Sequence, residues 1–209
     1  KMKKIAVLDY GMGNLHSVAK AIEKVSTNQR ILISNNIKEI QDSDKLVIPG
    51  VGAIRDCINS LESLGMDDLI RKFAEEKPIL GICIGMQLLL QGSEENGGTK
   101  CLGLLDGVLE KLKSGKDIKV PHMGWNKVYQ KTKHPMFKGI PQDSFFYFVH
   151  SYAALISENQ ASITKHGQDF VSSVYKKNIF AVQFHPEKSQ HAGLKIYENF
   201  ISWEGGYTQ

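Results

Sequence analysis

The sequence predicts an α/β protein: an open, mostly parallel twisted sheet flanked by helices, with antiparallel strands added in the second half. Three observations predict it. Short unbroken apolar runs recur in the first half, as expected of strands buried on both faces. Between them lie segments whose apolar residues repeat at helical spacing, so strand and helix alternate as in parallel βαβ units. After residue 120 the segments become short and β-rich, and turn residues separate them.

The elements run in chain order. Ile5-Ala-Val-Leu8 is the first buried strand, and Asp9-Tyr-Gly-Met-Gly-Asn14 is turn chemistry. Leu15, Val18, Ala19 and Ile22 mark a helix. Arg30 to Ser34 and Lys45 to Ile48 read as the next strands, the latter ending at Pro49-Gly-Val-Gly52. Ile54, Ile58, Leu61 and Leu64 mark a second helix, Pro78 to Ile82 a fourth strand, and Met86 to Leu90 the opening of the helix after it. Val120 to Val128, Phe145 to His150, Phe170 to Tyr175 and Ile179 to Gln183 are predicted as antiparallel or mixed strands at the sheet edge. Gly193 to Trp203 reads as a closing helix with Leu194, Ile196, Tyr197 and Phe200 available for burial. A single domain is expected over residues 1–203, with 204–209 a loose C-terminal tail.

Size and composition agree with one folded unit. The chain has 209 residues, against roughly 150 for a typical domain, and a chain of this size buries about 70% of its unfolded surface. A hydrophobic content of 42% excludes intrinsic disorder. Lys plus Arg is 26 and Asp plus Glu 22, a net charge of 26 − 22 = +4, and no block of like charges occurs. That argues against a nucleic-acid partner. Cys57, Cys83 and Cys101 have no C-x-x-C spacing, so neither a metal nor a disulfide framework is expected, and a reducing, cytoplasmic setting fits best. The basic start reaches only four apolar residues, Ile5 to Leu8, before Asp9, and no small-residue cleavage site comes after it, so no signal peptide is expected. The most apolar stretch, Ile79 to Leu90, is too short for a bilayer and carries Gly and Gln, so no membrane partner is expected.

The sharpest chemical feature is Gly81-Ile-Cys-Ile-Gly-Met-Gln87. An apolar strand runs into Cys83 and then into a helix, a strand–turn–helix elbow in a thiol version. Glycines on either side let the backbone bend and substrate approach, and a helix start is a setting that favours the reactive thiolate. A buried, inert cysteine is the competing reading, but Gly81 and Gly85 do nothing for burial. A thiol nucleophile needs a base and the base an orienter. His185 ends the run Ile179-Phe-Ala-Val-Gln-Phe184 and is followed by Pro186-Glu187, so Glu187 can hold its imidazole while the other nitrogen addresses Cys83. Acyl chemistry also needs donors for an oxyanion. The amide of Val51 or Gly52, with that of Ile84, could supply them. The glycines of Asp9 to Asn14 are too few and out of register for a dinucleotide site.

These residues, Gly81 to Gln87 with His185-Pro-Glu187, resemble the class I, triad-type glutamine amidotransferases, whose flavodoxin-like fold matches the predicted architecture. Four further segments, Asp9 to Asn14, Pro49 to Gly52, Pro121-His-Met-Gly-Trp-Asn126 and Tyr147-Phe-Val-His-Ser-Tyr152, resemble the glutaminase-subunit branch of the imidazole glycerol phosphate synthases. The resemblance covers nearly the whole chain. It implies hydrolysis of L-glutamine by a triad of Cys83, His185 and Glu187, with Gln87, Glu95, Ser151 and Tyr152 around the substrate and Gly50 and Val51 in the oxyanion strand. It implies no cofactor. Its partner is a (β/α)₈-barrel cyclase subunit in a heterodimer, which receives ammonia through a channel and forms imidazole glycerol phosphate and AICAR in histidine biosynthesis. Asn14, Trp125, Tyr147 and Lys188 lie in segments resembling the family's interface, and the oxyanion loop would be the bistable element that the complex favours in its active state.

Other readings stay open on sequence alone. A similar branch of glutaminases supplies ammonia for surface-polysaccharide sugars. A thiol hydrolase on the same fold, or a non-catalytic scaffold, would share the elbow. Cys57 falls on the apolar stripe of Ile54, Ile58 and Leu61 and reads as core, Cys101 as a loop or edge residue. His16, His122, His134, His166 and His191 lack metal-ligand spacing, and His150 is expected mainly to pack beside Ser151.

Overall fold

The structure is a computed structural model and describes residues 1–208. Its first strands are β1 (Lys4–Leu8), β2 (Arg30–Ser34), β3 (Lys45–Ile48) and β4 (Ile79–Ile82), each close to the predicted span. Between them lie α1 (Leu15–Val25), α2 (Ile37–Gln41), α3 (Ile54–Ser63) and α4 (Met66–Glu76). α3 buries Ile54, Cys57, Ile58 and Leu61, and α4 buries Met66, Leu69, Ile70 and Phe73, one apolar stripe each. Gly65 takes the left-handed conformation between them, at φ 68°, and lets the chain turn from one helix into the next.

After β4 the chain forms α5 (Ile84–Gln87), then β5 (Gly92–Ser93), β6 (Thr99–Lys100) and β7 (Val108–Lys111). The second half adds β8 (His122–Gln130), β9 (Ser144–His150), β10 (Tyr152–Ala154), β11 (Gln160–His166), β12 (Gln168–Lys176), β13 (Ile179–Val182) and α6 (Gln190–Ser202).

The main sheet has nine strands in the order β2-β1-β3-β4-β13-β12-β11-β8-β9. The pairs from β2 through β13 are parallel, and those from β13 outward are antiparallel. Strands β3, β4 and β13 are buried at every position, which is why they read as apolar runs, with Lys45 at the start of β3 the one charged residue. α1 packs against α6 and α3 against α4, and these helices flank the parallel strands. Among the described residues no helix is long and apolar enough to cross a membrane.

Several expectations need correction. The helix expected to open over Met86 to Leu90 ends after one turn. The carbonyls of Leu88, Leu89 and Leu90 accept instead from Leu102, Leu104 and Gly103, so the chain dives into the core rather than continuing a helix. Of the second-half strands, β13 is not an edge addition: it lies beside β4, parallel to it, at the centre of the sheet. A separate four-stranded sheet, β10-β7-β5-β6, is unforeseen, because strands of two residues carry no readable period. The C-terminal segment does not trail loosely either. Trp203 Nε1 donates to Gly206 O at 3.1 Å, and Tyr207 packs against His134 and Tyr175. Gln209, the end of the expected tail, lies outside the described residues.

Candidate active site

In a doubly wound sheet, ligands bind beyond the carboxyl ends of parallel strands. Here β3, β4 and β13 are adjacent and parallel, so the segments leaving their carboxyl ends meet in one place. Pro49 to Gly52 leave β3, Cys83 leaves β4, and His185 lies three residues beyond β13. A cavity of about 430 Å³ opens there, within the range of small-molecule sites. Its lining includes Val51, Gly52, Cys83, Ile84, Gln87 and His185. Glu95, Ser151 and Tyr152 complete another wall. The small sheet places two of these, since Glu95 comes just after β5 and Tyr152 begins β10.

The elbow is strained. Cys83 sits at φ 56° and ψ −113°, a region that non-glycine residues rarely occupy. Close packing holds it there. A Cβ on Gly85 would lie 1.9 Å from the carbonyl oxygen of Ile48, and one on Gly50 would lie 2.8 Å from the Gly85 nitrogen. Backbone meets backbone where β3 ends and α5 begins. The first N–H groups of α5, at Ile84 and Gly85, have no carbonyl one turn earlier in the helix to bond, and Ile84 lines the cavity.

The loop after β3 is anchored from beneath. Tyr10 Oη donates to Pro49 O at 2.6 Å, and Cys57 Sγ donates to Val51 O at 3.4 Å. Burial pushes the Cys57 thiol up to about 11, so it stays a neutral donor. Gly50 itself is buried beneath the loop against Tyr10 and Ile84, whereas Val51 and Gly52 face the cavity.

His185 and Glu187 form the second half of the site. His185 Nδ1 lies 2.7 Å from Glu187 Oε1, and both side chains are almost wholly buried. Tyr197 Oη donates to the other carboxylate oxygen at 3.1 Å. Burial lowers the His185 pKa, but Cys83 and Glu187 outweigh it, and the imidazole is raised to about 10. His185 Nε2, the nitrogen left for chemistry, is buried and closes no hydrogen bond among the described residues. Catalytic contacts are often open before substrate arrives. A strained cysteine beside a carboxylate-held imidazole of raised basicity, with unpaired amides nearby, is equipped for acyl transfer.

The glutamine amidotransferase class-I family matches residues 6–203 of the chain. The chain belongs to that family. Imidazole glycerol phosphate synthase subunit HisH of Nitrosococcus oceani is 49% identical over 207 residues, covering 98% of this chain and 99% of that one. The HisH subunit of Acinetobacter baylyi is 48% identical over 205 residues, covering 97% and 99%. A solved structure described as a glutamine amidotransferase superposes with a TM-score of 0.72 at 17% identity, covering 95% of this chain and 97% of that chain.

In this amidotransferase the cavity gathers Cys83, His185, Val51, Gly52, Ile84, Gln87, Glu95, Ser151 and Tyr152. Glu187 stands behind His185. The interface candidates divide. Trp125 and Tyr147 meet edge to face at 6.2 Å, and Lys188 Nζ lies 5.9 Å over the Tyr147 ring. Asn14 is exposed just before α1. Two residues of the site escaped sequence reasoning. Gln183 is fully buried, accepts from Gln87 Nε2 at 2.9 Å and places its own Nε2 3.8 Å from Cys83 Sγ. A polar residue inside the apolar run Phe180 to Phe184 was the available signal. Tyr197 carried no such mark: it stands on the buried stripe of α6 like any core aromatic.

Proposed function

We propose that this chain is the glutaminase subunit of an imidazole glycerol phosphate synthase. Cys83 Sγ attacks the side-chain amide carbon of L-glutamine, while His185 takes the thiol proton and returns it to the departing nitrogen. Ammonia leaves, a γ-glutamyl thioester remains, and water displaces Cys83 to release glutamate. Glu187 holds His185 in one orientation. Val51, Gly52 and Ile84 face the developing oxyanion, Gly50 supports them from beneath, and Gln87, Glu95, Ser151 and Tyr152 hold the substrate. The observation that carries the reading is the convergence of Cys83 and the His185–Glu187 pair on one small cavity.

Ammonia passes to a (β/α)₈-barrel cyclase partner, where it enters imidazole glycerol phosphate with AICAR as co-product, in the cytoplasm. Free ammonia protonates in water and stops being a nucleophile, so a sealed route is needed. Trp125, Tyr147 and Lys188 form the contact cluster for that partner, joined by Asn14. The exposed Met123, Trp125 and Phe145 support this assignment, since they leave an apolar patch on β8 and β9. The surface-sugar glutaminase reading is not favoured, because relatives at 44–49% identity over 97–98% of the chain are named as imidazole glycerol phosphate synthase subunits.

The test is co-purification with the barrel subunit and product formation from glutamine or from ammonium salts. Cys83→Ala is expected to abolish glutamine-dependent synthesis and to leave the ammonium-dependent reaction intact. Full glutaminase activity in that variant would remove Cys83 as nucleophile.

A further inference from the structure

A line of hydrogen bonds runs from the surface of β8 to the nucleophile, and its direction is fixed at every step. Asn126 Oδ1 accepts from the Lys127 amide at 2.8 Å, and its Nδ2 donates to Lys165 O at 2.8 Å, which settles the orientation of the amide. Asn126 Nδ2 also donates to His122 Nε2 at 3.1 Å. An imidazole that accepts at Nε2 must carry its proton on Nδ1, and His122 Nδ1 lies 2.9 Å from His150 Nε2. His150 therefore carries its proton on Nδ1 as well, and that atom donates to Tyr152 O at 3.0 Å. From the opposite side Gln87 Nε2 reaches the same carbonyl at 3.2 Å. Gln87 leads on to Gln183 and Cys83.

Both ends of the line agree, because a carbonyl oxygen only accepts. Both imidazoles are buried. Burial pushes His122 down to about 3 and His150 to about 4, so neither carries a charge at pH 7. His166 stacks on His122 with ring centroids 4.1 Å apart and sends its Nε2 to Lys119 O instead of joining the line. In water a neutral histidine chooses between two tautomers; here the neighbours choose.

We propose that His122 and His150 are positioning residues: locked as neutral Nδ1–H tautomers, they hold the Ser151–Tyr152 backbone in the register that receives glutamine. Ser151, Tyr152 and His150 all line the cavity, so the line acts on substrate binding through Tyr152 O. Among the described residues the two imidazoles hydrogen-bond only to Asn126, to each other and to Tyr152 O, and so act without bonding the reacting sulfur. This inference rests on the glutaminase reading above.

The experiment measures glutamine turnover in the complex with the barrel partner and its nucleotide, for the wild type, His122→Leu and His122→Asn. Asparagine can place an N–H donor where His122 Nδ1 stands; leucine keeps the bulk and has no donor. His122→Leu is expected to raise KM for glutamine about tenfold with kcat much less changed, and His122→Asn to stay within about threefold of wild type. A wild-type KM in His122→Leu, or equal impairment of the two variants, would overturn the proposal. Nitrogen NMR of the isolated chain at pH 7 is expected to show His122 and His150 protonated on Nδ1. An Nε2–H tautomer at either residue would overturn it directly. If the wild type turns over no glutamine, the glutaminase reading fails, and the NMR result still decides the hydrogen-bond line.

Discussion

Tyr197 stands behind the His185–Glu187 pair: its phenol donates to Glu187 Oε2 at 3.1 Å, while Oε1 of the same carboxylate holds His185. The carboxylate is thus fixed at both oxygens before it fixes the imidazole. Burial and the Glu187 charge raise the Tyr197 pKa, so the phenol remains a donor throughout the working range. Tyr197→Phe is expected to lower glutaminase kcat about tenfold, the loss of one hydrogen bond to a buried charge. Steady-state kinetics with the partner present will check it; an unchanged kcat would leave the phenol a packing residue.

The turn between His185 and Glu187 is held by a contact that only glycine allows. A Cβ on Gly193 of α6 would sit 1.8 Å from Pro186 O. Alanine favours a helix interior over glycine by about 1 kcal/mol, but overpacking of this kind costs about 1–3 kcal/mol, and here the obstacle is backbone. Gly193→Ala is expected to lose stability on balance and to lose activity with it, because Pro186 joins His185 to Glu187. Gly115→Ala, where the added Cβ meets nothing within 4 Å, is the control. Denaturant melts of both variants decide the matter.

The buried histidines impose a pH dependence with a definite sign. Burial pushes His122, His134 and His150 to about 3, 4 and 4, from an ordinary value near 6.5. The unfolded chain therefore binds protons that the fold refuses, and stability falls as pH drops from about 6.5 toward 4, by about 1.4 kcal/mol per unit for each such group. His185 acts oppositely: raised to about 10, it favours the fold below about 6.5 and loses that contribution as pH climbs toward 10. Considering these histidines together, melting temperature is expected to peak near neutrality. Replacing His134 by Asn is expected to flatten the acid limb, and a limb of undiminished slope would count against the burial of a neutral imidazole as its cause.

Lys45, on β3, caps the end of α6 from a distant part of the chain. Its buried amine donates to Phe200 O at 2.9 Å and Ile201 O at 2.7 Å, and also to Trp203 O. A cation at a helix carboxyl end satisfies carbonyls that have no partner of their own. Burial lowers the Lys45 pKa, while Glu204 at 3.7 Å opposes the shift. Lys45→Met is expected to cost about 2–4 kcal/mol, since three carbonyls lose a charged donor. A thermal melt with no drop would show that water replaces the amine.

What the sequence made legible was local. Cys83 between Gly81 and Gly85, and His185 two residues before Glu187, are readable because a tight elbow and a two-residue reach limit which residue types fit. The parallel strands were legible because β3, β4 and β13 are buried on both faces and, apart from Lys45 at the start of β3, carry no charged or polar side chain. The helix after Cys83 was overread for the same reason: an apolar run of Leu88 to Leu90 looks alike whether it coils or inserts into the core.

By itself, the sequence determined the strand–helix alternation and marked Cys83, His185 and Glu187 as the candidates for nucleophile, imidazole and carboxylate. Only the tertiary structure decided that β13 lies beside β4, which brings residues 83 and 185 to the same edge. It also decided that Gln183 meets Gln87, that Tyr197 meets Glu187, and that His122 and His150 join in one hydrogen-bond line. Their roles depend on hydrogen bonds between strands and helices far apart in the chain, and the direction of such a bond is set by where the partner atoms end up in space, which no spacing along the chain encodes.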